Sequence, residues 1–131
     1  MSDSHSNPGP EQQFHDALSH GQFQIQHCAD CDRYVFYPRV QCPHCGGHHL
    51  SWVRPAGLGT VYSVTIVRKK PADGGDYNVV LVDLQEGVRL MGRVDGIANE
   101  AIRIGMRVHV EVKQEGGKAI VVFVPNAGVI A

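Results

Sequence analysis

The chain has 131 residues, 43% of them hydrophobic, which is enough for one real core with a small module attached and too little for two full domains. Twelve Lys and Arg against thirteen Asp and Glu give a net charge of −1 and a pI near 6.7, so no overall basic field exists to draw nucleic acid or an anionic membrane. The start "MSDSHSNPGP" lacks the charged head and apolar run of a signal peptide, and no stretch approaches the ~18 uninterrupted apolar residues that span a bilayer, so a soluble, cytoplasmic protein is expected.

In chain order, residues 1–10 are polar, carry Pro and Gly, and have no periodicity, as in a flexible tail. Order is expected from Pro10. Phe14, Ala17 and Leu18 fall at helical spacing, Pro10 suits a first-turn position and Gly21 is placed to stop the helix. "QFQIQHC" then alternates, with Phe23 and Ile25 on one face, as a strand would.

The segment "CADCDRYVFYPRVQCPHC", residues 28–45, holds every cysteine of the chain. Cys28-x-x-Cys31 and Cys42-x-x-Cys45 each make a knuckle in which two thiolates reach one ion at about 2.3 Å, and two knuckles complete a closed tetrahedral shell. In a reducing compartment such pairs take metal rather than form disulfides. A four-sulfur shell leaves no open position for water, so the ion is structural rather than catalytic. Zinc is favoured, and iron held as in a rubredoxin is the runner-up. The ten residues between the pairs, with "YVFY" before Pro38, suffice for a short hairpin arm. His27, His44, His48 and His49 crowd the segment, but four thiolates already satisfy the ion, and these rings read as solvated. About 25 residues bury too little apolar surface to fold without the metal. "LSWV" is a short strand leading to Pro55.

From Gly57 onward five β-branched runs are separated by turns: "GTVYSVTIVRKK", "NVVLVDL", "VRLMGRV", "RVHVEVKQ" and "AIVVFV". That count in about 70 residues suits a small closed barrel. The fourth run alternates most cleanly, Met106, Val108, Val110 and Val112 inward and Arg107, His109, Glu111 and Lys113 outward, and the hairpin signal "QEGGK" follows it. The second and fifth runs are apolar on both faces, so something else must cover part of the barrel. Gly59 and Gly92 lie inside strands, where close backbone approach would use them.

Catalytic constellations are missing from this pattern. There is no G-x-S-x-G, no H-E-x-x-H and no phosphate-cradling Gly-rich loop, and no cysteine is left over as a nucleophile. Asp73, Asp76, Asp83, Glu86 and Asp95 are scattered at turns and strand ends, and His109 is an outward strand residue. Cations that could meet anionic ligands are Arg68, Lys69 and Lys70 at the end of the first barrel strand, with Arg54, Arg89 and Arg93 weaker candidates. Against this stands the ordinary reading of such a run, a solvated strand end that discourages edge pairing. Tyr34, Phe36, Tyr37 and Trp52 are expected to pack around the metal module.

The order of parts resembles the DUF35 family of acyl-CoA-associated proteins, which join a rubredoxin-like zinc ribbon to an OB-fold barrel. The likeness covers residues 11–125 and is most specific at "YPRVQCPHCGG", at Gly59-Thr60-Val61-Tyr62-Ser63, at Gly87-Val88-Arg89-Leu90 and at Ile104-Gly105-Met106. The departure is "GGDYNVVLV", where relatives often carry Pro-Tyr. The resemblance implies a mainly β chain divided as tail (1–10), helix and lead-in strand (11–27), zinc ribbon (28–53), five-stranded OB-fold barrel (54–125) and tail (126–131). It also implies a non-catalytic subunit that helps to hold acyl-CoA for a thiolase partner, with a MaoC-like enoyl-CoA hydratase or an aldolase as alternatives. Arg68, Lys69 and Lys70 are then the expected contacts of the CoA phosphates. A competing class is a single-strand nucleic-acid module, which would need a basic groove with interleaved aromatics; the barrel offers only Tyr62, Tyr77 and Phe123.

Overall fold

A computed structural model describes residues 9–126. The N-terminal tail up to residue 8 and the C-terminal tail beyond Asn126 lie outside the described residues. The described residues divide into two compact units, one formed by the chain before Ala56 together with 112–120, the other by 56–111 together with the last strand's end from Val121.

The first unit opens with helix α1, Pro10–Ser19, whose proline occupies the first turn, where its missing N–H costs no hydrogen bond. Phe14 and Leu18, four residues apart, are its buried face, each worth about 1.5–3 kcal/mol of burial. The helix stops where Gly21 and Gln22 turn their N–H groups back to Leu18 and Ala17 carbonyls. A three-stranded antiparallel sheet follows, with β1 (Ile25–Cys28) between β2 (Tyr34–Val35) and β3 (Leu50–Val53). The stretch between the cysteine pairs supplies the short hairpin arm expected of it, with β1 as the other arm. Its Tyr34–Val35 pairs with Gln26 and His27, because the first knuckle has already reversed the chain and presents β1 as the nearest open edge.

Aromatic residues fasten α1 to this sheet. Phe14 meets Phe23 and Phe36 edge to face, with centroids 6.2 and 5.4 Å apart, and the Trp52 indole donates to Gln13 Oε1 at 2.7 Å. Tyr34 lies against His27. Packing of Tyr34, Phe36 and Trp52 within the ribbon unit therefore agrees with the sequence, while Tyr37 stays 45% exposed.

The second sheet has five strands in the order β6-β5-β4-β7-β8: β4 is Leu58–Val67, β5 Tyr77–Leu84, β6 Arg89–Gly92, β7 Arg107–Glu115 and β8 Lys118–Pro125. Its outermost members are joined where Phe123 of β8 donates to the Arg93 carbonyl and accepts from the Asp95 N–H, so the sheet curls into a nearly closed barrel. Val61, Val80, Val82, Val108, Val122 and Phe123 fill the interior. Gly92 is required here, since a Cβ at that position would stand 2.7 Å from Phe123 Cε2. Gly116 and Gly117 both have positive φ, 60° and 80°, as a tight β7–β8 reversal demands. A bulge at Tyr62 in β4 leaves that ring half exposed. Asn78, read from sequence only as a strand start, is buried: its side chain accepts from Val94 N–H at 2.8 Å and donates to the Val94 carbonyl and to Asn99 Oδ1. One amide thus supplies both backbone partners of Val94, while its neighbours Arg93 and Asp95 pair with β8. No helix among the described residues is long and apolar enough to cross a membrane.

Candidate metal centre

The two knuckles are one turn built twice. In the first, Asp32 N–H returns to the Cys28 carbonyl and Cys28 N–H bonds the Arg33 carbonyl; in the second, Gly46 N–H returns to Cys42 and Cys42 N–H bonds Gly47. The fifth residue of each sits in the left-handed region, Asp32 at φ 62° and Gly46 at φ 78°. Asp32 tolerates this as an Asx-type residue, and its carboxylate takes a 2.7 Å bond from His27 Nε2. Local turn geometry therefore aims both thiols of each pair at one point.

At that point the four Sγ atoms lie within 4.8 Å of one another. Cys28 and Cys45 Sγ are 3.6 Å apart, and Cys31 and Cys42 Sγ 3.7 Å. Four sulfurs each about 2.3 Å from a central ion stand about 3.8 Å apart along every edge of the tetrahedron, whereas a disulfide needs about 2.05 Å. The spacing is that of a metal shell. His44 N–H points at Cys42 Sγ and Gly47 N–H at Cys45 Sγ, both at 3.4 Å, donors that favour thiolate over thiol. Burial raises the Cys42 thiol, but N–H donation from Cys45 and His44 with thiol donation from Cys31 and Cys28 outweighs it and brings it down to about 7. Burial, reinforced by the neighbouring sulfurs, pushes Cys31 up to about 12. Four thiolates cannot share so small a space without a cation among them. The donor set fits a divalent ion that prefers sulfur.

The nearby histidines have other partners. His27 is bonded to Asp32, His49 Nδ1 approaches Asp30 at 2.9 Å, and His44 lies 3.3 Å from Arg33. Sequence reasoning missed Gln26, which strand alternation assigns to the open face and which no local signal marks out. It is 4% exposed, donating to the Arg39 carbonyl and accepting from the Arg39 N–H, both at 2.7 Å. Gln26 stands two residues before Cys28 and Arg39 three before Cys42, so this double bond ties the approach to one knuckle to the approach to the other.

The remaining candidates are dispersed. Arg68, Lys69 and Lys70 follow β4, where Asp76 takes a 2.6 Å bond from Arg68 and a second from the Lys69 N–H; these hold its carboxyl below the usual range. Lys69 Nζ lies 5.4 Å from the Tyr77 ring centre. Arg89 makes a two-pronged bond to Asp83 with its guanidinium 3.6 Å over Tyr62, and Arg93 makes the same kind of bond to Asp95. Glu86 accepts from the Ala56 N–H, and His109 faces Glu111 at 3.4 Å on the barrel exterior. The carboxylates scattered along the sequence are thus mostly occupied by arginines across a turn or strand.

A ribbon of four convergent thiols and a five-stranded curled sheet define a zinc-ribbon OB-fold protein. Residues 15–51 match the family described as ChsH2, rubredoxin-like zinc ribbon domain, and residues 52–113 that described as ChsH2, C-terminal OB-fold domain. The chain belongs to the DUF35 family. Among solved structures it superposes on a chain of the Ltp2-ChsH2(DUF35) aldolase with a TM-score of 0.79 and 32% identity, covering 92% of this chain and 97% of that one. A probable enoyl-CoA hydratase alpha subunit of Thermomonospora curvata is 42% identical over 86 residues, 64% of this chain but only 27% of that longer protein. A DUF35 domain-containing scaffold protein of Methanocaldococcus jannaschii is 26% identical over 103 residues, 73% of each.

Proposed function

We propose that this chain is a non-catalytic subunit of an acyl-CoA-processing complex, its ribbon built around a structural zinc held by Cys28, Cys31, Cys42 and Cys45. The observation that carries the reading is the likeness over nearly the whole chain to the DUF35 chain of an aldolase. An aldolase is therefore the first partner to expect. An enoyl-CoA hydratase is the second, favoured by the 42% identity to a hydratase alpha subunit. A thiolase, the partner first implied by the family resemblance, rests on that resemblance alone. Outward-facing apolar positions of β5 and β8 support a surface finished by another chain. With Arg68 committed to Asp76, the CoA phosphates would be met by Lys69 and Lys70.

The test is purification from the native host through an affinity tag on this chain, with the companion identified by mass spectrometry. An aldolase or hydratase in fixed stoichiometry is expected, and a nucleic-acid-processing companion or none would overturn the reading. In the recovered complex Lys69→Glu with Lys70→Glu should weaken CoA binding; unchanged affinity would remove the phosphate patch but leave the subunit role.

A further inference from the structure

Across the exterior of the barrel one row of side chains is fixed by register: Arg89 on β6 opposite Asp83 on β5, Asp83 opposite Thr60 on β4, and Thr60 opposite Arg107 on β7. A cleft of about 490 Å³ lies on this row, lined by Leu58, Thr60, Asp83, Gln85, Arg107 and Asn126 among others. That volume is within the ~300–1,000 Å³ of small-molecule sites.

The arginines of the barrel are unevenly matched. Arg68, Arg89 and Arg93 each hold a carboxylate at 2.6–2.8 Å. Among the described residues the Arg107 guanidinium has no such partner, nor do the side chains of Thr60, Gln85 and Asn126 bond to any other group. Asp83 is neutralised from its far side by Arg89. Among the described residues the cleft therefore presents one uncompensated positive charge, with a hydroxyl, two amides and the apolar Leu58 beside it. Asn126 is pinned in place, its N–H bonded to the Arg107 carbonyl at 3.0 Å.

We infer that this cleft is a binding site for a small oxyanion, a phosphate ester or a carboxylate, received by the Arg107 fork and oriented by Thr60, Gln85 and Asn126. A guanidinium offers two parallel N–H groups that fit either anion, and hydroxyl and amide donors complete the shell without adding charge. The site is separate from Lys69 and Lys70 and needs no partner, so it stands or falls independently of the subunit reading.

The experiment uses the zinc-loaded full chain and two probes, inorganic phosphate and acetate, followed by NMR of the Arg107 Nε–H and of the Thr60 and Asn126 amides. A saturable shift of these signals is expected with at least one probe; the tighter probe tells phosphate ester from carboxylate. Arg107→Gln should weaken it about tenfold or more, while Lys118→Gln, at an exposed cation on β8, leaves it unchanged. Arg107→Lys, which keeps the charge but not the fork, should fall between. Absence of any saturable shift, or an equal loss of affinity on Arg107→Gln and on Lys118→Gln, would overturn the assignment. Amide spectra of each variant confirm that the barrel is folded when affinity is read.

Discussion

Gln26→Leu is the sharpest probe of how the ribbon is held. The substitution keeps volume and apolar fit in a position that is 4% exposed, but removes both 2.7 Å bonds to the Arg39 backbone. Each bond contributes about 0.5–1.5 kcal/mol net, and an Arg39 N–H or carbonyl left without a partner costs about 1–3 kcal/mol where water does not reach it. Arg39 itself is on the exposed side of the loop, so water restores part of that loss. The sum is about 2–4 kcal/mol, localised between the knuckles. Guanidinium unfolding of the zinc-loaded protein should show this loss, and a chelator competition should show zinc leaving faster, because the path into Cys42 is no longer tethered to β1. Gln26→Glu should lose at least as much near neutral pH, since a carboxylate oxygen would then face the Arg39 carbonyl. A stability for Gln26→Leu within about 0.5 kcal/mol of the parent, with unaltered zinc release, would refute the tether.

Two further outcomes follow from the packing and the charges. Gly92→Ala should destabilise the barrel by about 1–3 kcal/mol in thermal or denaturant unfolding, since Phe123 is fully buried and cannot yield to a Cβ at 2.7 Å; a neutral result would mean that β6 and β8 are less closely apposed than described. Tyr37 is held above the ordinary phenol range first by its hydrogen bond to Glu11, then by burial and the Glu11 charge. Because its folded value is raised, the associated stability is present below the unfolded value of about 10 and is lost as pH climbs through the folded one. A tyrosine titration followed by ultraviolet difference absorption should show this late phenol, and Glu11→Gln should bring it back toward the others; no change on that substitution would refute the pairing.

Much of this fold was legible because its signals are local. Two residues between paired cysteines determine a turn, and the turn aims the thiols, so the convergence of the four sulfurs could be read without knowing anything distant. Pro10, Phe14 and Leu18 wrote α1, and the alternation from Met106 to Val112 wrote β7 with Val108 fully inside. Gln26 and Asn78 were not legible, since each looks like an ordinary polar strand residue until a loop 13 or 16 positions away supplies the backbone groups that it bonds. Register hid the rest. Asp83 faces Arg89, and Thr60 faces Arg107, only once the strands are paired, so neither the neutralised carboxylates nor the cleft beside Arg107 could be seen along a single strand. The ten-residue spacer was legible in part: Tyr34 and Val35 have strand character and form the expected arm, but that its partner is β1 shows only once the first knuckle has reversed the chain.

Zinc K-edge absorption on the purified chain, with metal counted in the same sample, tests the central claim most directly. One zinc per chain is expected, with four sulfur neighbours at about 2.3 Å and no nitrogen or oxygen in the shell, and removal of the ion should unfold the ribbon. A folded chain with no metal, or a shell in which His27, His44 or His49 replaces a cysteine, would contradict it.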